Sequence, residues 1–449
     1  MADVVFDQFL KALERTERMP LRDLARYQEQ LLIRLVRHAS ENLPYYRRRL
    51  APVFTADGGV DLSRWNDLPI LTRDEALAHG AEMRVAALSA QYGVVGEFQT
   101  SGSTGVPLTL ASNALVSTAS NALFTRLVRW FGLDTSRPLA VLRRFPDEPI
   151  PTDAEGKVES GWSFADPDAL MYKLEILTPL QTQLEWLVRH KSPYLLTFPS
   201  GALALAHAVS PQQGRSLGIE MVFLVGETVP EGTAELIAER LGARIASVYA
   251  CQEIGTIACT CNAEAHYHVT AENALVEIVD ESGNDVAPGG RGRVVLTGLY
   301  NYAMPFIRYE IGDVAVAGTG ACKCGRTLPV IERIEGRRRN MFVFRDGTRF
   351  WPRFSTVRPL HAFVPFQRYQ WVQLDEDNIE FRYTPDGSGR MPDVAALNAY
   401  VRQAIHPSLN FTVKEVETLA SGPSGKFEEF ISNVEGANFV PVAGYEGAG

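Results

Sequence analysis

An α/β protein, with a large N-terminal body of parallel-rich sheets and a small C-terminal α+β domain, is predicted by three observations. Strand-like and helix-like stretches alternate between Tyr194 and Tyr249. Strands dominate after about residue 272. The final part returns to a strand pair followed by a helix.

The alternation carries most of the prediction. Residues 194–198, 220–225 and 243–249 are short apolar runs. Between them lie helix candidates at 201–209 and 230–241, the second with proline in its first turn. Buried-looking strands in that rhythm imply a parallel sheet covered by helices, with functional loops at the strands' carboxyl ends. Upstream, Leu24, Leu31, Leu32, Leu35, Val36 and Ala39 recur at helical spacing within Leu21–Asn42. Asn42-Leu43-Pro44 ends that helix, since a residue before proline disfavours the helical region. Downstream, 274–279 and 293–299 are strand-like around a turn at 280–283. The strand pair 369–374 and 379–383, with a helix at 394–405, makes the small domain, and the Gly- and Ala-rich stretch 436–449 is expected to fray. No internal repeat is visible.

Composition narrows the function. The chain has 449 residues, 46% apolar, 22% charged and 10% aromatic. Those values fit a globular protein and exclude a largely disordered one. Forty-four basic against 53 acidic residues give a net charge of −9. An acidic surface is a poor general nucleic-acid binder, although a local basic pocket for one nucleotide is allowed. Asp3, Asp7, Glu14 and Glu17 interrupt the apolar residues of the first twenty positions, which does not suit a signal peptide. Residues 98–125 carry no charge but are rich in Ser, Thr, Asn and Gly and contain Pro107, so they fail as a membrane span. Five cysteines in so long a chain make no disulfide framework, and a cytoplasmic protein is expected.

The strongest local signal is Thr100-Ser101-Gly102-Ser103-Thr104-Gly105-Val106-Pro107. Glycines permit close backbone approach and hydroxyls add donors, so the loop can cradle phosphate oxygens. It lacks the Gly-Lys-Ser/Thr of a P-loop, and its flanks at 93–99 and 108–111 look like strands. The competing reading is a flexible Gly/Ser loop. A second signal is a pair of C-x-C motifs, Cys259/Cys261 and Cys322/Cys324, with His266 and His268 after the first. Thiolates and imidazoles are zinc ligands; reduced, unliganded thiols are the alternative.

The Thr100–Pro107 loop resembles the phosphate loop of acyl-adenylate-forming enzymes, and the chain as a whole resembles the phenylacetate–coenzyme A ligase group. The likeness runs through Arg37 to Tyr46, Leu68-Pro69-Ile70-Leu71-Thr72-Arg73, Tyr249-Ala250-Cys251-Gln252-Glu253 and Met304-Pro305-Phe306-Ile307-Arg308-Tyr309 with Asp313. It ends at Gly336-Arg337 and Gly422-Pro423-Ser424-Gly425-Lys426. The resemblance implies an adenylate-forming body at 1–336, a hinge at 337–340 and a lid at 341–449. It implies ATP, magnesium and a small-molecule acid, aromatic by the group's habit, with coenzyme A as acceptor. Thr100, Ser101, Gly102, Ser103, Thr104 and Gly105 would hold phosphates. Gly226, Glu227 and Tyr249 would lie beside the base, Asp313 would take the ribose hydroxyls, and Glu253 would bind magnesium. Lys426 would be the catalytic cation, and Arg337 would contact ribose or phosphate. The group's zinc pattern maps onto Cys261, His268, Cys322 and Cys324, with a four-cysteine version using Cys259 as the rival. This group often forms dimers, so a homodimer is compatible.

Two departures bear on the second half-reaction. Arg339 stands where the group carries an acidic swivel residue, and Asn340 follows it. Asp346-Gly347-Thr348-Arg349-Phe350-Trp351-Pro352 replaces the usual run that shapes the acceptor tunnel. An amine, a carrier-protein thiol, or nitrite activation to diazotise an aromatic amine therefore stays open. A non-catalytic nucleotide-binding zinc scaffold is the alternative from another class.

Overall fold

The computed structural model describes residues 2–99, 108–145, 148, 150, 155–164, 166–320, 322–337, 342–350, 360–419, 427 and 430–434. The chain divides into two compact units. The first comprises residues 1–135, 163–165 and 248–335; the second comprises 136–162, 166–247 and 336–449.

The first unit is antiparallel in character. The strands Ala274–Val279, Arg291–Gly298 and Tyr309–Ala317 pair in that order, antiparallel throughout. Val330–Arg337 pairs with Tyr267–Val269, which pairs with Gly255–Thr260, and these ladders are antiparallel too. A separate hairpin joins Val95–Gln99 to Thr109–Asn113, Gln99 facing Thr109. The hairpin therefore brackets the glycine-rich loop, as its strand-like flanks predict. The helix Leu21–Asn42 buries Leu24, Leu31, Leu32, Leu35, Val36 and Ala39, the face read from spacing. Pro44 ends that helix and also opens a new one, Pro44–Arg49, because its fixed φ suits a first helical position.

The second unit holds the predicted parallel sheet. Leu170–Glu175, Leu139–Arg143, Tyr194–Thr197 and Met221–Val225 run parallel in that order, and Lys157–Ser160 closes the edge antiparallel. The helices Leu180–His190, Pro199–Ala208 and Thr233–Leu241 alternate with these strands. Trp186, Leu195, Leu205, Val222, Leu224 and Ile237 form their shared core. The helix read at 230–241 begins instead at Thr233, because Gly232 at φ +83° caps it with a left-handed turn.

The same unit contains a four-stranded sheet with its own core. Its order is Asn410–Glu415, Asn378–Pro385, Phe366–Gln373, Phe430–Ser432, the middle pair antiparallel and both outer pairs parallel. The helix Val394–Ala404 contributes Leu397 and Val401 to a cluster around Trp371, Phe381 and Phe411. That cluster is distinct from the one packed against the parallel sheet. The stretch 436–449 lies outside the described residues. Among the described residues, no helix is long and apolar enough to cross a membrane.

Candidate functional site

Three motifs that lie far apart in sequence converge in the first unit. His38 Nε2 meets the Tyr302 carbonyl at 2.8 Å, and the Tyr46 hydroxyl donates to the Pro305 carbonyl at 2.6 Å. The Leu71 N–H donates to the Arg308 carbonyl at 2.7 Å. Arg308 itself is buried, with its backbone at φ +49°. Its guanidinium donates to the carbonyls of Asn66 and Leu68 and pairs with Glu277 at 3.0 Å. A fully buried charge with a partner and several acceptors is tolerated where a lone one is not. Asn301 extends the assembly to the hairpin, donating to the Ala111 carbonyl, while Asn113 accepts from the Tyr302 N–H.

This frame carries the carboxylates. Tyr249, in the strand Arg244–Cys251, donates its hydroxyl to Asp313 Oδ2 at 2.7 Å. Asp313 is buried on Tyr309–Ala317, and the phenol bond fixes one of its two oxygens. Glu253 follows just after Tyr249's strand. Its Oε1 lies 3.9 Å from Arg73 and accepts from the Tyr309 hydroxyl at 3.3 Å. Burial pushes the Tyr309 phenol well above its usual range, so it stays a donor. Neither Arg73 nor Tyr309 was given a role from sequence, although both lie within the quoted motifs. The order of those motifs was the only available signal.

A second cluster gathers the sulfur and imidazole groups. Ligating atoms of Cys261, His266, His268 and Cys322 lie within 4.8 Å of one another. The Cys261 and Cys322 sulfurs are 3.4 Å apart, and Cys324 Sγ is 3.2 Å from His268 Nε2. Backbone N–H groups of Ala263, Cys324 and Arg326 point at the sulfurs of Cys261, Cys322 and Cys324 in turn. Such donors act against burial, which nevertheless leaves the Cys322 thiol raised. Burial raises the Cys324 thiol, but the Arg326 N–H and the neighbouring thiols outweigh it and the net shift is downward. Burial, with His266 nearby, lowers His268 to about 4, so its imidazole is neutral at pH 7. Cys259, the residue of the rival four-cysteine version, is not among those grouped donors. Cys259 sits beside Arg126 and Glu272, and burial pushes its thiol up to about 12.

Around the cluster, Trp130 lies between Arg126 and Arg326, at 4.9 and 4.1 Å from ring to guanidinium carbon. Its N–H donates to Glu17, and its ring meets His268 edge-on at 5.7 Å. Arg126 pairs with buried Glu272 at 2.8 Å.

In the second unit, Gly226 leaves the strand Met221–Val225 at φ +80°, a conformation that favours glycine. Gly226-Glu227 thus occupies a strand's carboxyl end, as the α/β reading requires. Glu227 accepts from the Ser200 N–H at 2.9 Å, the Ser200 hydroxyl at 3.0 Å and the Phe427 N–H at 2.8 Å. Residues 100–107, 338–341 and 420–426, hence the Thr100–Gly105 loop, Arg339 and Lys426, lie outside the described residues, as does the Arg337 side chain.

No family model matches the chain. Over 385 residues it is 28% identical to the phenylacetate–coenzyme A ligase of Thermus thermophilus, covering 81% of each chain. The structure of 2-hydroxyisobutyryl-CoA ligase in the postadenylation state, in complex with R3-HIB-AMP, matches with a TM-score of 0.72. That match is 20% identical and covers 94% of this chain and 92% of the other. The fold is that of the adenylate-forming enzymes. The anthranilate CoA ligase AuaEII, in complex with anthranoyl-AMP, shares it at a TM-score of 0.53, with 14% identity over 74% of this chain and 65% of the other. The motif resemblance therefore extends along most of the chain. Within the adenylate-forming fold, Tyr249, Glu253 and Asp313 belong to one connected assembly, while Gly226 and Glu227 lie on the parallel-sheet unit.

Proposed function

We propose that this protein activates a carboxylic acid with ATP and transfers the acyl group to coenzyme A. The observation that carries the reading is the chain-long likeness to a coenzyme A ligase, 28% identical over 81% of both chains. A carboxylate oxygen attacks the α-phosphorus, the bond to the bridging oxygen breaks, and pyrophosphate leaves as acyl-AMP forms. The coenzyme A sulfur, its thiol proton lost, then attacks the acyl carbon and AMP departs.

The chain's own groups have defined tasks in that scheme. Asp313, with one oxygen held by Tyr249, accepts the ribose hydroxyls. The Tyr249 ring packs against the base. The hydroxyls and N–H groups of 100–105 cradle the phosphates, and Lys426 brings positive charge to the reacting oxygens. Arg337 adds a second cation from the start of the hinge. Water exclusion by a lid at 341–449, turning about 337–340 on a body at 1–336, protects the mixed anhydride. Glu253 fits magnesium as a hard oxygen donor beside these groups, and the ion would neutralise phosphate charge.

The Cys–His cluster fits zinc. With metal–sulfur bonds near 2.3 Å, the edge of a tetrahedron of thiolates is roughly 3.7 Å, close to the sulfur contacts seen. Cys261, His268, Cys322 and Cys324 would hold it, and it would fasten residues 259–268 to 322–326. Its role there is structural. Aromatic acids are the proposed substrates, in a cytoplasmic enzyme.

The reading is tested by assaying aryl acids, short acids, amines and nitrite for AMP release, with and without coenzyme A. Thioester formed together with AMP is the expected result. AMP released without thioester would favour an amine or nitrite reaction, as the replaced swivel at Arg339 allows. No AMP with any substrate would leave only the scaffold reading.

A further inference from the structure

We infer that Glu227 is a positioning residue that clamps the peptide joining Lys426 to Phe427 and so acts on the adenylation step alone. The inference rests on the ligase reading and goes beyond a place for Glu227 beside the base. The N–H that Glu227 binds at 2.8 Å belongs to Phe427. Phe427 follows Lys426 directly in the chain, so a bond to its N–H restrains the peptide through which the lysine is attached.

The surroundings make this a built contact. Ser200 is in the first turn of the helix Pro199–Ala208, where N–H groups have no helical partner. It gives Glu227 both its N–H and its hydroxyl, so the carboxylate is aimed before Phe427 arrives. Phe427 is buried, and the Arg368 guanidinium lies 4.3 Å over its ring. That same positive charge draws on Glu227 from the small domain's side. The side chain as a whole is only half-buried, yet its carboxylate end is shielded enough for burial to raise its pKa. Ionised, it makes charge-assisted hydrogen bonds, roughly twice as strong as neutral ones. Because the bond is to backbone, it does not depend on the identity of residue 427. A lid that turns between half-reactions must release this bond before thioester formation.

Two measurements test the clamp. Glu227→Ala should lower the rate constant of acid-dependent ATP–pyrophosphate exchange by about 10- to 100-fold, the worth of a charge-assisted bond. Transfer of a chemically prepared acyl-AMP to coenzyme A should fall far less. Glu227→Gln keeps an acceptor oxygen and should recover part of the exchange. Equal loss in both half-reactions would overturn the clamp. So would a loss confined to KM for ATP, which would place Glu227 against the nucleotide. Amide hydrogen exchange reads the contact without catalysis. The Phe427 amide should exchange at least about tenfold faster in a folded Glu227→Ala protein, and unchanged protection would overturn the inference. If the wild-type chain forms no acyl-AMP while Phe427 loses protection in the variant, the ligase reading fails and the contact stands.

Discussion

The Cys–His cluster and the Glu227 contact both join stretches of chain that are distant in sequence, but by opposite means. Cys261 and Cys322 are 61 residues apart, and Glu227 and Phe427 are 200 apart. In the first case, ladder register brings the donors together: His268 faces Cys259 on one side and Val330 on the other. Several N–H groups then support the sulfurs. In the second case, one carboxylate meets one amide beside the three-residue strand Phe430–Ser432. The first arrangement is suited to staying closed for the life of the protein. The second can be undone at the cost of a few hydrogen bonds, which a turnover cycle requires.

The largest effect should come from breaking the permanent junction. Cys322→Ser, or prolonged chelation, should lower the melting temperature by about 10 °C or more, because structural metal binding is folding free energy. Differential scanning fluorimetry alongside metal analysis checks it. A protein purified without stoichiometric zinc and indifferent to chelator would erase the contrast. Next, Asp313→Ala should raise KM for ATP about 10- to 100-fold, since a carboxylate acceptor is lost. Steady-state pyrophosphate exchange measures it, and an unchanged KM would remove Asp313 from the nucleotide site. Ser200→Ala removes one of Glu227's three donors and should slow the same exchange by about fivefold. Tyr249→Phe keeps the ring and loses only the bond to Asp313, so a few-fold change in KM is expected.

The smallest predicted effect is a pH dependence. Glu227 has its pKa raised above the ordinary 4.5 by burial, so the folded state holds its proton longer than the unfolded chain. Between 4.5 and that raised value the folded protein binds more protons, and stability falls as pH rises. Glu227→Gln removes this slope. Melting curves across mildly acidic pH should therefore be flatter for the variant, and identical curves would show that the carboxylate is not shielded.

Much of this was legible in the sequence because it depends on periodicity or spacing. Six apolar positions at helical intervals in Leu21–Asn42 all became buried. The alternation from 194 to 225 produced parallel strands with helices between them, while the printed ladder of the third strand, Arg244–Cys251, is antiparallel to Gly255–Thr260. Of the four residues that the resemblance pointed to, Cys261 contacts Cys322 and Cys324 contacts His268. Other features left no such trace. Gly232 moved a helix start by its left-handed backbone, where the proline three residues before Thr233 suggested an earlier one. His266 joined the donors of the cluster without a place in the motif. Arg73 beside Glu253 depends on tertiary placement of two motifs 180 residues apart. The Glu227 contact was the least legible, because its partner is a backbone N–H, which almost every residue offers.

The position of Trp130 has a practical consequence. Its indole is held between two guanidinium groups and against the edge of the His268 imidazole. Tryptophan emission responds to nearby cationic and imidazole groups, so loading or emptying the cluster should change the protein's intrinsic fluorescence. A Trp130→Phe protein would lose that signal while the other five indoles of the chain continue to emit. Should the cluster hold zinc as proposed, the fold would contain its own optical gauge of that loading, readable without label or enzyme assay.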